Sequence, residues 1–432
     1  MIRKPAACQG CPFYGDGGGF VPGELRGSPV LVYGQNPGEA EEAQGKPFVG
    51  ATGATMERKY FKVAGLSRDD VSLDNAIRCR WKGKNELPPL SQTLTREALR
   101  HCYQAHFKLP EATRIIVTQG DYALSGLTGQ TSSTDWRGYA LALHGQPHLS
   151  GVWVPRRGDI AILATVHLAR LFRDPTLTLA TLSDWAKVPR LLVGKWPKPA
   201  PEYLTEPPEE WPVHFAFDTE FTPQNKLIRY SISTGEQTYV VEGDHPTTPR
   251  LRLREGGRSR VISQYTPADI RHLGALAGVD PWRAFDIDDT VWKHATLYSD
   301  HPHDLNYLGS IYSSMNRWKH LGAVEPQLYA GADAYGTWEV NQALNKEFLR
   351  DPLSRRVYEE LDRPVLEYFV KAQYAGQRVD KARVKQVMDM LEIDRDEAQA
   401  RAVATVGWPM KLSSPQQVSH RLYAEEEILK RR

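Results

Sequence analysis

Six prolines crowd into the nineteen residues Gly194–Pro212, GKWPKPAPEYLTEPPEEWP, and no other stretch limits the possible folds of this chain so strongly. Proline has no N–H to donate and its ring fixes φ, so neither a helix interior nor a central strand can run through such a segment. An extended linker is expected over 195–212. It divides the 432 residues into about 195 before and about 220 after, each enough for a core of its own.

Composition narrows the classes. The chain is 41% hydrophobic and 25% charged, which is globular and excludes a wholly disordered protein. No apolar run approaches the 18 to 20 residues of a membrane helix, and the start, MIRKPAACQG, shows no secretory signal. A net charge of +2 neither requires nor excludes nucleic acid, because a cleft needs only local charge.

Before the linker, strands and helices alternate. Val30–Tyr33, Ile115–Thr118 and Ile160–Ala164 read as strands, and Thr52–Ala64 and Thr95–Phe107 as helices. That alternation predicts a parallel sheet covered by helices, with sites at the C-terminal strand ends. After the linker, His214–Asp218, Ile228–Ser233 and Thr238–Val241 predict a meander. Helices are expected from Pro267 on, and a wholly helical pattern from about Arg355 to the end.

The four cysteines are Cys8 and Cys11 in a CxxC, then Cys79 and Cys102. Without a secretory signal, a metal centre is the leading reading, and four thiolates can bind zinc or an iron–sulfur cluster. Between them, Val30–Tyr33 enters a turn built on Gly34, Pro37 and Gly38, and Phe48 lies between Pro47 and Gly50. Such turns let backbone N–H groups approach a phosphate or a base closely.

In this order the CxxC, Gly34-Gln-Asn-Pro-Gly38, Glu41, Gly45-Lys-Pro-Phe-Val-Gly50, Asn75-Ala-Ile-Arg-Cys79, Cys102 and Thr165-Val-His167 resemble the family-4 uracil-DNA glycosylases, including the glycosylase-like domain of some phage DNA polymerases. The resemblance implies that Cys8, Cys11, Cys79 and Cys102 hold a [4Fe-4S] cluster. It implies a uracil pocket of Gln35, Asn36, Phe48, Asn75 and His167. Phe48 would stack on the flipped base, Asn75 would read N3–H and O4, and His167 would donate to O2 as the uracil anion leaves. Gln35 stands where the family has a glutamate, and an amide cannot act as a base. Weak or absent turnover is therefore expected, with Glu41 left as a carboxylate for residual catalysis.

Asp218-Thr-Glu220 at a strand end places two carboxylates on one face, a natural Mg²⁺ pair. Tyr329 and Asp333 share a helix face at i, i+4. With Asp269 between them, these features resemble the 3′–5′ proofreading exonuclease of family A DNA polymerases. The resemblance implies a ribonuclease H-like α/β domain and two-metal phosphodiester hydrolysis. Of two Mg²⁺ or Mn²⁺ ions, Asp218 would bridge both, Glu220 and Asp333 would hold one, Asp269 would reach the second through water, and Tyr329 would orient the attacking water. Asp286, Asp288 and Asp289 offer rival acids for Asp269, and Gln264-Tyr265 replaces the usual His-Asn. Arg250–Arg260, with five arginines in eleven residues, can grip a DNA backbone or form a solvated loop.

Arg363–Leu366, Tyr374–Asp380 and Leu412–Gln417 resemble the entry and thumb of the family A polymerase domain, with no palm following. The expected organisation is α/β throughout the first two domains and then all-α. It runs as a glycosylase-like domain over 1–194, the linker over 195–212, an exonuclease domain over 213–352 and polymerase thumb helices over 353–432. The implied function is a DNA replication and proofreading exonuclease that does not polymerise alone. The alternatives are a uracil-reading, DNA-clamping module and an active glycosylase of base-excision repair. Single-stranded 3′ ends of DNA and a separate palm chain are the expected partners, and the cytoplasm of a bacterium or phage-infected cell the expected location.

Overall fold

The computed structural model describes residues 2–16, 18–82, 84–143, 159–243, 251–253, 257–376, 378–407 and 409–423. The first sheet is built from Val30–Gly34 (β1), Val71–Asn75 (β2), Ile115–Gln119 (β3), Ala140–Ala142 (β4) and Ala161–Thr165 (β5). Its order is β2-β1-β3-β5-β4, parallel except for the antiparallel edge strand β4. Every residue of these strands is buried, which is why β1, β3 and β5 read as apolar runs rather than alternating ones. The chain leaves β1 toward β2 on one side and reaches β3 on the other. The loops after β1, β2 and β5 therefore converge at the C-terminal edge, at the reversal of strand order. The expected helix over 52–64 starts at Ala51–Thr55 and then widens into a π-helical stretch, Met56–Phe61, and the second helix spans Thr93–His106.

The second sheet holds His214–Phe221 (β6), Leu227–Ser233 (β7), Thr238–Glu242 (β8), Ser259–Ser263 (β9) and Phe285–Asp289 (β10), in the order β10-β9-β6-β7-β8. β6, β7 and β8 form the antiparallel meander, while β9 and β10 run parallel. Sequence reading missed β9 and β10: β10 is rich in acids, and β9 follows directly on the arginine run. Their charges answer each other: Arg260 and Asp286 are cross-strand neighbours, paired at 3.0 Å. The described arginines of the run also have partners within the fold. Arg252 pairs with Glu209, and Arg258 donates to the carbonyls of Trp282 and Phe285, while Arg250 and Arg254 lie outside the described residues.

The helix Pro326–Arg350 packs across β6, β7 and β8. Gly336 lets it settle on Trp318, since a Cβ there would stand 2.8 Å from the indole. One apolar core runs continuously from the first sheet into this region. It joins Leu31, Ile116, Tyr139 and Leu141 to Leu308, Met315, Trp318, Val340 and Leu344. Polar ties cross the same boundary. Arg137 bonds Asp184 at 2.6 Å and Ser310 at 2.6 Å, and Asn316 exchanges two bonds with the Ala140 backbone.

The proline-rich stretch forms no helix or strand but is not a free tether. Single bridges tie it at Lys198 to Met315, Leu204 to Tyr239 and Glu210 to Arg252. Trp211 is fully buried against Phe215, Phe217 and Phe285. Tryptophan explains the difference: burying one such ring outweighs the ordering of a segment that proline already restricts.

The chain forms two compact units, Met1–Val370 and Lys371–Arg432. Packing around the second sheet continues past residue 352: Leu366 and Val370 join its core, and Tyr358 donates to Asp288. In the second unit the helix Lys381–Val406 is capped by Asp380 and ends at Gly407, and Pro415–Tyr423 follows. Residues 424–432, a charged stretch expected to be helical, lie outside the described residues, as does Trp408. Among the described residues no helix is long and apolar enough to cross a membrane.

Candidate functional site

The loops at the C-terminal edge of the first sheet enclose a cavity of about 380 Å³. Gln35, Asn36, Glu41, Phe48, Asn75 and His167 all line it. Gly34 makes the close approach possible: a Cβ there would stand 2.3 Å from Asn75 Oδ1 and 2.6 Å from the Phe48 ring. Phe48 itself has φ +54, a left-handed conformation that an aromatic residue adopts only when held. Arg68 holds it, donating to the carbonyls of Pro47 at 2.7 Å and Phe48 at 3.0 Å.

Burial pushes the His167 imidazole down to about 4, with the Arg173 charge adding to the effect. His167 is therefore neutral at ordinary pH. Its Nδ1 accepts the Ala169 N–H at 3.3 Å, which leaves the proton on Nε2. Asn36 donates to the carbonyls of Pro37 and Asn85, so its amide nitrogen ties the wall of the cavity together. Glu41 accepts the Gly38 N–H with one carboxylate oxygen. That bond is a helix cap, so one oxygen of the expected residual acid is spent on structure. Thr52, Asn85, Glu86 and Arg173 also line the cavity and were not singled out from the sequence.

Cys8, Cys11, Cys79 and Cys102 line one small cavity with Lys4, Arg78 and His106. Burial raises all four thiols, Cys79 to about 11 and Cys102 to about 12. A bound cationic centre is what would keep them as thiolates. Around a single zinc the sulfurs would stand about 3.8 Å apart. Among the described residues, though, the only three ligand groups within 4.8 Å of one another are elsewhere. Four thiols spread around a cavity suit a polynuclear cluster better than one ion.

Those three groups are Asp218 and Glu220 on β6 and Asp333 on the helix Pro326–Arg350. Asp218 Oδ2 is cut off from solvent and has no hydrogen-bond partner. Burial and the charges of Asp333 and Asp269 hold the Asp218 carboxyl well above the usual range, and Glu220 is raised by burial and Asp333. An unmatched buried acceptor among crowded acids fits a cation.

Asp269 stays outside that group. Its Oδ1 accepts the Thr219 N–H at 3.1 Å and the Thr219 hydroxyl at 2.6 Å, and its Oδ2 the Ser263 hydroxyl at 2.7 Å. Burial pushes Asp269 up to about 7. The rival acids have structural partners: Asp286 pairs with Arg260 and Arg363, Asp288 with Lys293, and Asp289 caps the helix Thr290–Leu297. Gln264 donates to the His303 carbonyl, and Tyr265, at φ +74, opens the helix that carries Asp269.

Two residues at this site escaped sequence reading. Lys319 Nζ donates to Asp333 Oδ1 at 2.6 Å and to the Tyr329 hydroxyl at 3.2 Å. Trp318 Nε1 donates to the same Asp333 oxygen at 2.6 Å. Neither belongs to a spacing pattern, and only the folded loop brings them to the acids.

Residues 22–189 match the family model described as the uracil DNA glycosylase superfamily. The type-4 uracil-DNA glycosylase of Saccharolobus solfataricus is 27% identical over 200 residues, covering 45% of this chain and 84% of that protein. That of Archaeoglobus fulgidus is 27% identical over 203 residues, covering 46% and 94%. That of Thermotoga maritima is 33% identical over 130 residues, covering 29% and 62%. The N-terminal part of this chain thus carries a uracil-DNA glycosylase superfamily domain, with type-4 relatives over about its first 200 residues. Among solved structures, Brucella melitensis NrnC bound to pGG covers 40% of this chain and 91% of its own, at 16% identity and a TM-score of 0.32. That score is too low to establish a common fold.

Proposed function

We propose that this chain recognises uracil in DNA through its first domain and releases the base there. The observation that carries this reading is the 380 Å³ cavity lined together by Gln35, Asn36, Glu41, Phe48, Asn75 and His167. Phe48 supplies a flat apolar wall for a base taken out of the stack. Asn75 presents an acceptor and two donors, the complement of the N3–H and O4 edge of uracil. When the N-glycosidic bond breaks, its electron pair stays with the base and negative charge grows on O2. His167 meets that charge as a neutral Nε2–H donor, which stabilises the leaving anion without transferring a proton. Water then adds to the sugar carbon and loses its proton, and Gln35 cannot accept it. Slow base release is the expected outcome, with the free Glu41 oxygen as the remaining acceptor.

The thiol cavity fits an iron–sulfur cluster held by Cys8, Cys11, Cys79 and Cys102. Such a cluster would act as a staple between the N-terminal segment, the end of β2 and the helix Thr93–His106. The Lys4 and Arg78 charges beside the thiols favour the thiolate form that would hold the cluster.

A second reading rests on Asp218, Glu220 and Asp333: metal-dependent 3′–5′ hydrolysis of DNA. Water adds to the phosphorus, the P–O3′ bond breaks, and the 3′ oxygen leaves and takes up a proton. Divalent cations bound by these acids would supply the charge that stabilises the pentavalent phosphorus. Tyr329, kept as a phenol by burial and Asp333, would orient the water.

One time course tests both. A 5′-labelled single strand with one internal uracil is sampled with and without Mg²⁺, and with and without hot alkali. An alkali-dependent break at uracil without Mg²⁺ supports base release. A Mg²⁺-dependent ladder from the 3′ end supports hydrolysis. Binding with neither product rejects both activities and leaves a uracil-reading clamp.

A further inference from the structure

We propose that a cavity at the β10 edge of the second sheet, which shares no residue with either candidate site, binds a phosphate group.

Arg260, Lys293, Arg355 and Arg363 line this cavity, together with Asn345. Each cation arrives on a different element: β9, then the helices Thr290–Leu297, Pro352–Val357 and Arg363–Ala375. Like charges brought together by the fold need counter-charge. Asp288 and Glu359 supply it from within the lining, and Asp286 pairs with Arg260 and Arg363. Four cations therefore face three carboxylates, and one positive charge is left over.

The hydrogen bonds show where that charge is open to a ligand. Lys293 is fully occupied: its Nζ donates to Asp288 at 2.8 Å, Asn341 at 2.6 Å and Asn345 at 2.9 Å. It is a fixed charge in the wall. The arginines keep donors in reserve. Arg260 uses Nε and Nη2 on Asp286, Arg363 uses Nε on the Ile287 carbonyl and Nη2 on Asp286, and Arg355 uses Nε on Glu359. Among the described residues, Nη1 of Arg260, Nη1 of Arg363 and both Nη nitrogens of Arg355 have no partner. Asn345 accepts from Lys293 through Oδ1, so its Nδ2 is a further donor at the cavity. The buried carboxylate is already engaged on both oxygens, by Lys293 and by the Tyr358 hydroxyl at 3.1 Å. The groups left to meet a ligand are mainly donors, most of them charged. An oxyanion with several acceptor oxygens is their complement.

Size narrows the ligand. The cavity holds about 230 Å³. Sites that enclose a drug-sized molecule run from about 300 to 1,000 Å³. A phosphate group fits this cavity, and a whole nucleotide does not. The phosphate is either free in solution or part of a nucleic-acid strand.

The test is a calorimetric titration of the full chain with inorganic phosphate, in chelator so that no metal bridges the anion to Asp218. One saturable phosphate is expected. Arg355→Ala is expected to weaken it about 10- to 150-fold, as for a lost charge-assisted bond. Arg356→Ala removes the next arginine, which pairs with Glu360 and lies outside the cavity lining, and is expected to leave the affinity unchanged. Asn345→Asp keeps an acceptor for Lys293 but turns the free donor into a negative charge, and is expected to abolish binding. No saturable binding, equal weakening in the two arginine variants, or full affinity in Asn345→Asp would each overturn the proposal. Should Arg355→Ala fail to fold, Asn345→Asp against Arg356→Ala still decides. Competing strands identify the source, and every result among them supports the site. Displacement by 5′-phosphorylated oligothymidylate alone assigns a strand end, displacement by the unphosphorylated strand as well assigns the backbone, and displacement by neither assigns free phosphate.

Discussion

The two sites solve opposite problems with the same kind of support. The first-sheet cavity is lined largely by amides, an aromatic ring and a neutral imidazole, set on loops at the ends of parallel strands. The second-sheet site crowds carboxylates on a strand and a helix, and relieves them with one lysine and one indole. A flat neutral base is recognised by shape and by directional hydrogen bonds, which need the polar groups uncharged and fixed. Cation binding needs charge that the fold alone cannot satisfy. The first site is therefore complete as folded, while the second holds an unfilled acceptor at Asp218 Oδ2.

The most direct way to break this comparison is to remove the frame that both sites share. Arg137→Ala leaves Asp184 buried without its partner, and the loss of about 3–5 kcal/mol is expected to lower the melting temperature of Met1–Val370 as one transition. Two separate transitions in calorimetry would show that the sites stand on independent bodies. Asp218→Asn is expected to lower metal-dependent hydrolysis by about 100- to 1,000-fold, with uracil-DNA binding unchanged in the same preparation. Asn75→Ala should act in the reverse sense. It removes about 1–3 kcal/mol of discrimination, a loss of about 5- to 150-fold in preference for uracil over cytosine DNA by fluorescence anisotropy, with Mn²⁺ binding intact.

The smallest expected effect is in pH. His167, pushed down to about 4, does not titrate between pH 5.5 and 8, so the uracil-binding affinity should be flat there. Asp269 should not be silent. Its folded carboxyl keeps the proton up to about 7. An unfolded aspartate gives up its proton near pH 3.9, at about the usual value. The stability it contributes is therefore complete at low pH and is lost as the pH rises through 7. Melting temperatures in chelator at pH 6 and pH 8 would show the fall, and a flat profile would mean that Asp269 is ionised.

Much of this was legible because the residues lie close in sequence or in a spacing that a regular element converts into a face. Asp218 and Glu220 alternate along β6, Tyr329 and Asp333 sit one turn apart, and the apolar runs of β1, β3 and β5 announce a covered parallel sheet. What stayed hidden is held by contacts between distant segments. Lys319 reaches Asp333 only because Trp318 is wedged between Tyr139 and Gly336. Arg68 acts on Phe48 through backbone carbonyls, which leave no trace in side-chain patterns. β10 was missed because its acids look solvated until Asp286 is seen beside Arg260 of β9. Asp269 was read from its order along the chain as reaching an ion through water, and only the fold shows that its oxygens also accept from Thr219 and Ser263.

The proline-rich stretch invites anyone dividing this protein to cut there. The continuous core argues against it. A fragment ending near Gly194 would lay bare Tyr139 and Leu141, and one beginning near Trp211 would lay bare Leu308, Met315 and Trp318. Each piece would carry a raw apolar face prone to self-association, and the second would lose the wall that steadies Trp318 beside its acids. Half-molecules that look inactive would then report the damage of the cut rather than the chemistry of the half.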